Sequence, residues 1–89
     1  MRRLNATSRF RKDSARLERR GLSLEKMLRI VREIRLTGSP PVSTRPHILI
    51  GDWAGHLECH IAPDWLLIYQ VDDNEVLLHR TGTHSDLFG

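Results

Sequence analysis

The residues with the most useful chemistry lie in the second half of the chain. All five histidines follow residue 46, with an arginine and several aspartates among them. Histidine titrates near neutral pH, so two histidines can divide the work of a general base and a general acid. Arginine offers a planar fork of donors that matches phosphate oxygens. Together these residue types could cut a phosphodiester, and the candidates are His47, His60, Asp64, Arg80 and His84.

Cleavage of an RNA strand by its own 2′-hydroxyl needs three catalytic functions from a protein. One group removes the 2′ proton, another protonates the departing 5′ oxygen, and a third stabilises charge on the crowded phosphate. Aromatic rings can hold splayed bases by stacking, and Trp65 and Phe88 are available for this. The residue types alone do not identify a nuclease, because histidines often lie at the surface without a catalytic role and Arg80 could simply pair with Asp64 or Asp86.

Two other chemistries fit the sequence less well. A zinc site on His56 and His60 requires a helix, but the segment alternates like a strand, in which residues four apart are about 13 Å from each other. Nucleophilic catalysis by Cys59 requires an exposed thiol with a neighbouring base. Cys59 instead alternates with Leu57 and Ile61 on the apolar face, so we expect it to fill the core.

The candidate residues are predicted to lie on and between strands. After a proline-rich loop at residues 38–46 the apolar period changes to that of strands, and three segments follow it: His56–Ile61, Trp65–Val71 and Val76–Thr81. The middle segment is apolar on both faces, as in a central strand. In an antiparallel hairpin of the last two segments Trp65 pairs near Thr81, which brings Asp64 beside residues 80–84.

The first half is predicted to form two helices. Ser8 is expected to cap the first helix, which buries Phe10 and Leu17 and ends near Gly21. Ser23 is expected to cap the second, whose apolar stripe consists of Leu24, Met27, Leu28, Val31 and Ile34. A strand before Ser8 is only weakly signalled. Two helices followed by an antiparallel meander indicate an α+β domain with helices packed on a sheet.

Charge is distributed unevenly along the chain. Residues 1–35 carry 12 Lys and Arg against 4 Asp and Glu, whereas residues 36–89 carry 2 against 7, so the two parts have net charges of +8 and −5. A front half this basic favours phosphates or an acidic protein as its partner. On the first helix, Lys12, Arg16 and Arg19 form a basic stripe away from the predicted buried side.

Length and cysteine content limit the class of protein. The 89 residues are expected to form one domain with a modest core, so an active site should lie in a surface groove. No apolar run approaches the ~18 residues of a membrane helix, and no secretory signal segment is expected. The single cysteine cannot form an internal disulfide, which fits a reducing cytoplasm.

Three strings of the second half are distinctive in combination: HILIGDWAG at residues 47–55, ECHIAPDWLLIY at 58–69 and RTGTHSDLF at 80–88. They closely resemble the YafQ family, part of the RelE/ParE superfamily of toxins from toxin–antitoxin modules. The strongest match spans about half the chain, and the helical first half resembles the family more loosely. The combination is more specific than any single motif.

The resemblance implies a fold, an activity and a set of site residues. The fold would be RelE-like, with two helices on a twisted, mainly antiparallel sheet of four to five strands. The activity would be that of an endoribonuclease that cuts messenger RNA in the ribosomal A site without a metal or other cofactor. We expect His84 to be the general acid, with His60 or Asp64 on the base side. The positions that match the family's acid–base residues are His47, His60, Asp64 and His84. Arg80 matches the family's phosphate-stabilising arginine. Trp65 and Phe88 match aromatic residues that hold substrate or shape the site.

The resemblance also implies partners. The basic stripe of Lys12, Arg16 and Arg19 would dock on ribosomal RNA. A cognate antitoxin would neutralise the basic surface with an acidic segment that folds on binding. Two rival classes stay open: a ParE-like toxin without nuclease chemistry, and a small basic nucleic-acid-binding module.

Two positions depart from the family's pattern. His56 and Leu57 stand where relatives often have an aromatic residue and an arginine, so a phosphate or ribosome contact is weakened unless His56 replaces it. Pro46 precedes His47 where an acidic residue is common, which leaves the residue that orients His47 unidentified.

Overall fold

The computed structural model describes residues 1–89 as a five-stranded sheet with two long helices on one face. The strands are β1 (Arg3–Ala6), β2 (His47–Ile48), β3 (Leu57–Ala62), β4 (Trp65–Val71) and β5 (Glu75–Gly82), in the spatial order β1-β5-β4-β3-β2. The helices are α1 (Ser8–Arg19), α2 (Glu25–Thr37) and α3 (His84–Phe88). β1 runs parallel to β5, and the other neighbours are antiparallel. The predicted α+β fold is confirmed.

The core lies between the two long helices and one face of the sheet. Phe10 and Leu17 of α1 and Met27, Val31 and Ile34 of α2 are buried in one cluster with inward residues of the strands. Strand β4 is the centre of the sheet, as its apolar pattern predicted, and successive residues from 65 to 69 are all buried. Cys59 and Ile61 of β3 belong to the same cluster, which confirms the predicted inward face.

Two of the predicted helix caps need correction. The first helix is capped by Thr7 rather than Ser8, because Thr7 is extended and its hydroxyl accepts a hydrogen bond from the Phe10 amide at 3.0 Å. Ser8 is already helical. Helix α2 begins at Glu25, so Leu24 rather than Ser23 is its N-cap residue, although the Ser23 hydroxyl accepts a hydrogen bond from the Glu25 amide at 3.3 Å. None of the helices is long and apolar enough to cross a membrane.

The N-terminal strand pairs with only part of β5. Its register runs from Arg3 beside Glu75 to Ala6 beside Leu78. The chain then turns into α1, so the last residues of β5 face that helix instead of a strand. A pairing between distant ends of the chain leaves no local pattern, which is why β1 was signalled only weakly in the sequence.

A buried carboxylate on α1 binds this unpaired edge of β5. Asp13 accepts hydrogen bonds from Arg80 Nε at 2.6 Å, from Arg80 Nη2 at 3.1 Å and from the Thr81 amide at 3.2 Å. The side chains of Asp13 and Arg80 are only 5% and 9% exposed. Arg16, one helical turn further on, donates to the same carboxylate at 3.1 Å. The Asp13–Arg80 pair therefore joins α1 to β5 almost out of contact with water.

The opposite face of the sheet is covered by a short helix that was not predicted. Leu87 of α3 packs against Leu66 and Ile68 of β4, together with Leu49 and Trp53 from the segment after β2. The sequence did carry a signal for α3, since Thr83 and Asp86 have the spacing of a capping box. The Thr83 hydroxyl accepts from the Asp86 amide, and the Asp86 carboxylate accepts from the Thr83 amide, both at 3.0 Å.

Removing the buried carboxylate should destabilise the fold strongly. We expect Asp13→Ala to lower the free energy of unfolding by about 3–5 kcal/mol, because it leaves the Arg80 guanidinium buried without a counter-charge. Alanine is a good helix former, so the loss would not come from helix propensity. Chemical denaturation measures it. Asp73→Ala, at an exposed turn residue without hydrogen bonds, is the control and should change stability by no more than about 0.5 kcal/mol. Equal effects of the two variants would contradict the role assigned to Asp13.

Candidate active site

Three histidines from separate elements form a row on the surface of the molecule. His47 lies on β2, His60 on β3 and His84 at the first turn of α3. The ring centroids of His47 and His60 are 6.1 Å apart, and those of His60 and His84 are 6.2 Å apart. The antiparallel pairing of β2 with β3 places His47 beside Glu58, two residues before His60 on the same face of the strand. We call His47, His60 and His84 the histidine row.

One end of the row is fixed by an aspartate in the turn between β3 and β4. Asp64 Oδ1 lies 2.7 Å from Nδ1 of His84 and accepts a hydrogen bond from the His84 amide at 3.0 Å. The backbone bond from His84, followed by its side-chain bond, holds the pKa of Asp64 below its ordinary value. The predicted proximity of Asp64 to residues 80–84 is confirmed, but the register is not the predicted one: Leu67 rather than Trp65 pairs with Thr81, and a β-bulge lies between Ile68 and Tyr69.

The other end of the row has a partner that the sequence interpretation missed. Glu58 is buried, and its Oε1 lies 3.3 Å from Nε2 of His47. Nδ1 of the same ring lies 3.1 Å from the Arg45 carbonyl oxygen. Glu58 thus occupies the orienting role that the sequence left unassigned at His47. Its signal was the alternation of β3, which put Glu58 and His60 on one face.

The side chain of the central histidine of the row makes no hydrogen bond to the protein. His60 is half-buried, and its Nδ1 has no partner although that atom is almost inaccessible to water. Nε2 is therefore the nitrogen of His60 that is left to meet another molecule. A histidine with one unsatisfied buried nitrogen is unusual and points to a functional constraint.

Arg80 does not join the row in the way its sequence context suggested. The alternative partners Asp64 and Asp86 were both wrong, because the Arg80 guanidinium is bound by Asp13. This hydrogen bond, opposed by desolvation, raises the pKa of Arg80. Nε and Nη2 both donate to Asp13, so Nη1 is the group that remains free of it. No hydrogen bond links Arg80 to any of the three histidines.

The two aromatic candidates differ in exposure. Trp65 is 6% exposed within the main core, and its indole nitrogen is bound to Thr81. Its burial leaves no open face on which a base could stack, so of the two expected roles only shaping of the site fits. Phe88, at the end of α3, is 49% exposed and has a surface that could contact a ligand.

The basic stripe of α1 is shorter than predicted. Lys12 and Arg19 are exposed, as expected. Arg16 is not a free surface cation, because it binds Asp13 at 3.1 Å and lies 3.9 Å from Asp86. The three residues do follow helical spacing, but Arg16 binds the buried carboxylate of Asp13, three residues earlier, and is therefore turned toward the sheet.

The remaining two histidines form a separate pair away from the row. The rings of His56 and His79 are 4.4 Å apart in an edge-to-face arrangement, and Nε2 of His79 lies 2.8 Å from the side-chain oxygen of Gln70. Burial, followed by repulsion from His56, lowers the pKa of His79. His56 precedes His60 by four extended residues, about 13 Å, so it does not take part in the histidine row.

The structure offers neither a reactive thiol nor a metal-binding cluster. Cys59 is fully buried, and desolvation raises the pKa of its thiol to about 12. No group of three or more His, Cys, Asp or Glu side chains is arranged to hold a metal ion.

Comparison with known families decides the family of this chain. A family model described as the bacterial toxin of type II toxin–antitoxin system, YafQ, matches residues 2–89. The chain belongs to the YafQ family. The mRNA interferase toxin YafQ of Escherichia coli strain K12 is 45% identical over 49 residues, which cover 55% of this chain and 53% of that protein. The match thus spans about half the length of this curated YafQ relative.

Solved structures of YafQ and of a Helicobacter pylori toxin have the same fold over the whole chain. A mutant of E. coli YafQ superposes with a TM-score of 0.90 at 30% identity and covers 100% of both chains. A chain of the E. coli DinJ–YafQ toxin–antitoxin complex gives a TM-score of 0.88 at 31% identity, over 99% of this chain and 98% of that one. A copper-bound mutant toxin from Helicobacter pylori gives 0.90 at 36% identity, over 99% of this chain and 100% of that one.

The buried thiol should be unreactive in the folded protein. Because the thiolate is the reactive form, a pKa of about 12 leaves almost none of Cys59 able to attack an alkylating reagent near pH 8. We expect iodoacetamide to modify Cys59 only after the chain is unfolded in guanidinium, as measured by mass spectrometry. Rapid alkylation of the native protein would contradict both the burial and the raised pKa.

The carboxylate at the end of the row should titrate at unusually low pH. Asp64 should stay charged to a pH below the ordinary ~3.9 for aspartate, and its contacts to His84 are lost only as the pH falls through this lowered pKa. In His84→Ala the pKa of Asp64 should rise only part of the way, because the larger contribution, the backbone amide at position 84, remains. Carboxyl NMR titration measures both values. Asp72, whose lowered pKa depends on the amides of Asn74 and Glu75, should be unchanged, and a parallel shift there would contradict the local cause.

Proposed function

We propose that this chain is an endoribonuclease that cuts messenger RNA on the ribosome by acid–base catalysis. The observation that carries the proposal is the histidine row, with His60 between His47 and His84 and with Asp64 bound to His84. Membership of the YafQ family, whose curated E. coli member is named an mRNA interferase, supports the same activity. The proton transfers would be made by side chains, without a metal ion.

The hydrogen bonds favour one division of the proton transfers. Nδ1 of His84 is held by Asp64, so Nε2 is free to protonate the departing 5′ oxygen as the general acid. Asp64 is a weak base, because its carboxylate is occupied and its pKa is lowered. His60 has no protein partner and is therefore the better candidate to remove the 2′ proton. The 2′ oxygen then attacks phosphorus, which leaves a 2′,3′-cyclic phosphate and a free 5′-hydroxyl.

Two further residues complete the proposed site. His47 stands beside His60 with both ring nitrogens engaged, Nε2 by Glu58 and Nδ1 by the Arg45 carbonyl oxygen, so it would shape the site next to the phosphate rather than serve as the base. Arg80 would stabilise the negative charge that develops on the phosphate through Nη1, the group that Asp13 leaves free. Asp13 would then be a positioning residue, because it fixes the guanidinium without touching substrate.

The surroundings of the row suggest how substrate and partners are held. Phe88 would contact a base of the RNA, while the buried Trp65 shapes the site from below. Lys12 and Arg19 would dock on ribosomal RNA, and the antitoxin would cover basic surface with an acidic segment, as an antitoxin binds YafQ in the E. coli complex. The place of action would be the cytoplasm, where ribosomes translate.

A translation reaction tests the proposal directly. We expect the protein to produce new message ends, mapped by primer extension, only while ribosomes are translating. His84→Gln and His60→Gln should each reduce the cleavage rate by about 10²–10⁴, the usual contribution of a positioned acid or base. His56→Gln, which removes a histidine outside the row, is the matched control and should cleave normally.

The result also separates the rival classes. If translation stops while the message stays intact, the chain is a toxin of the non-nuclease kind and the proposal is wrong. Cleavage that survives loss of both His60 and His84 would keep the nuclease but reject this assignment of its residues.

A further inference from the structure

A groove runs from the middle of the histidine row toward the second helix. It encloses about 680 Å³ between α2, the loop at residues 41–45 and the end of β3. His60 is among its lining residues, and Ala62 and Pro63 provide apolar surface. Its volume is in the range of pockets that hold a small organic ligand. His60 is the only residue of the proposed proton transfers that lines this groove.

The charged residues of the groove favour an anion. Lys26 and Arg29 from α2 and Arg45 from the loop line it, against a single acidic residue, Glu33. The ion pair of Arg29 with Glu25 is long, at 3.5 Å, and both partners are highly exposed, so it holds Arg29 only weakly. A phosphate in the groove would therefore meet more positive than negative charge.

The loop wall of the groove is strained, and it is linked to the row. Arg45 is the only non-glycine residue with a positive φ, at 51°, in the left-handed region that few residues adopt. Its carbonyl oxygen lies 3.1 Å from Nδ1 of His47, and its side chain lines the groove. Backbone strain of this kind collects at ligand-binding sites, where it holds a side chain in place. One residue thus connects the groove to the histidine row.

We propose that this groove binds the RNA nucleotide next to the phosphate that is cut. Its backbone phosphate would lie at Arg29 and Arg45, and its base would pack on the apolar surface of Ala62 and Pro63. Ser43 lines the groove, and its hydroxyl, which has no hydrogen bond within the protein, would bind an edge of the base. The inference rests on the proposed function, because the strand reaches the groove through the phosphate at His60.

A nucleotide fits this groove better than an acidic peptide. A strand held for cleavage at the row must place its next nucleotide on adjoining surface, and His60 belongs to both the row and the lining of the groove. The combination of positive rim and apolar floor matches a nucleotide, which carries a phosphate and a flat base on one unit. An acidic peptide would use the cations but gain little from the floor.

Binding of a short RNA that cannot be cut is the test. The probe is a fluorescein-labelled RNA hexamer with 2′-O-methyl sugars, whose binding is followed by fluorescence anisotropy at several salt concentrations. We expect Arg29→Gln and Arg45→Asn each to weaken binding about 3- to 10-fold and to reduce the salt slope by about 1. Asparagine is chosen at position 45 because it tolerates the left-handed backbone. Arg32→Gln removes an exposed charge from the same helix outside the groove and should change affinity less than about 2-fold.

The outcomes that overturn the inference are distinct from failure of the proposed function. Equal effects of Arg29→Gln and Arg32→Gln would mean that the groove is not a binding site. A fluorescein-labelled hexaglutamate that loses as much affinity as the RNA in Arg29→Gln would instead identify an acidic-protein surface. If the groove variants weaken RNA binding as expected but the message stays intact in the translation assay, the proposed nuclease activity is wrong, and the groove is not linked to a cut phosphate. New message ends with no effect of the groove variants would overturn only the groove.

Discussion

The structure depends above all on the buried ion pair between Asp13 and Arg80. Strand β1 pairs with the first half of β5 only, so the polar edge of its second half needs another partner. Asp13 supplies it by accepting from the Thr81 amide and from two nitrogens of Arg80 at once. Burying a carboxylate costs free energy unless it is paired and fully hydrogen-bonded. The donors that satisfy Asp13 are brought to it only when α1 and β5 are folded together. The pair therefore fixes α1 against the strand that leads into the site.

From this pair a chain of charged contacts reaches the third helix. Arg16 binds Asp13 and approaches Asp86, and Arg20 binds both oxygens of Asp86 at 2.8 and 3.0 Å. Asp86 in turn accepts from the Thr83 amide at the start of α3. Its pKa is lowered well below the usual range, first by the Arg20 contact and then by the Thr83 amide. Because Thr83 immediately precedes His84, the position of the proposed acid is set by α1 as well as by β5.

The parts of the site that were predictable from sequence are those set by local pattern. The apolar run of β4 and the hairpin that follows placed Asp64 beside His84, and the alternation of β3 separated His60 from Cys59. Asp13 could not be found in this way, because an aspartate among basic residues in a helix has the pattern of a solvated surface. Its burial follows from where β1 ends, which depends on pairing between distant parts of the chain. Arg16 was misassigned for the same reason, whereas α3 was missed although its capping box is visible in the sequence.

The exposure of the row gives a physical reason for a large partner. The side chains of His47, His84 and Asp64 are 48%, 56% and 65% exposed. In water the attraction between such groups and a charged phosphate is weak, and it grows several-fold when a second surface excludes solvent. An active site of this openness is therefore best completed by the body that carries its substrate, which is what the proposal of cleavage on the ribosome requires.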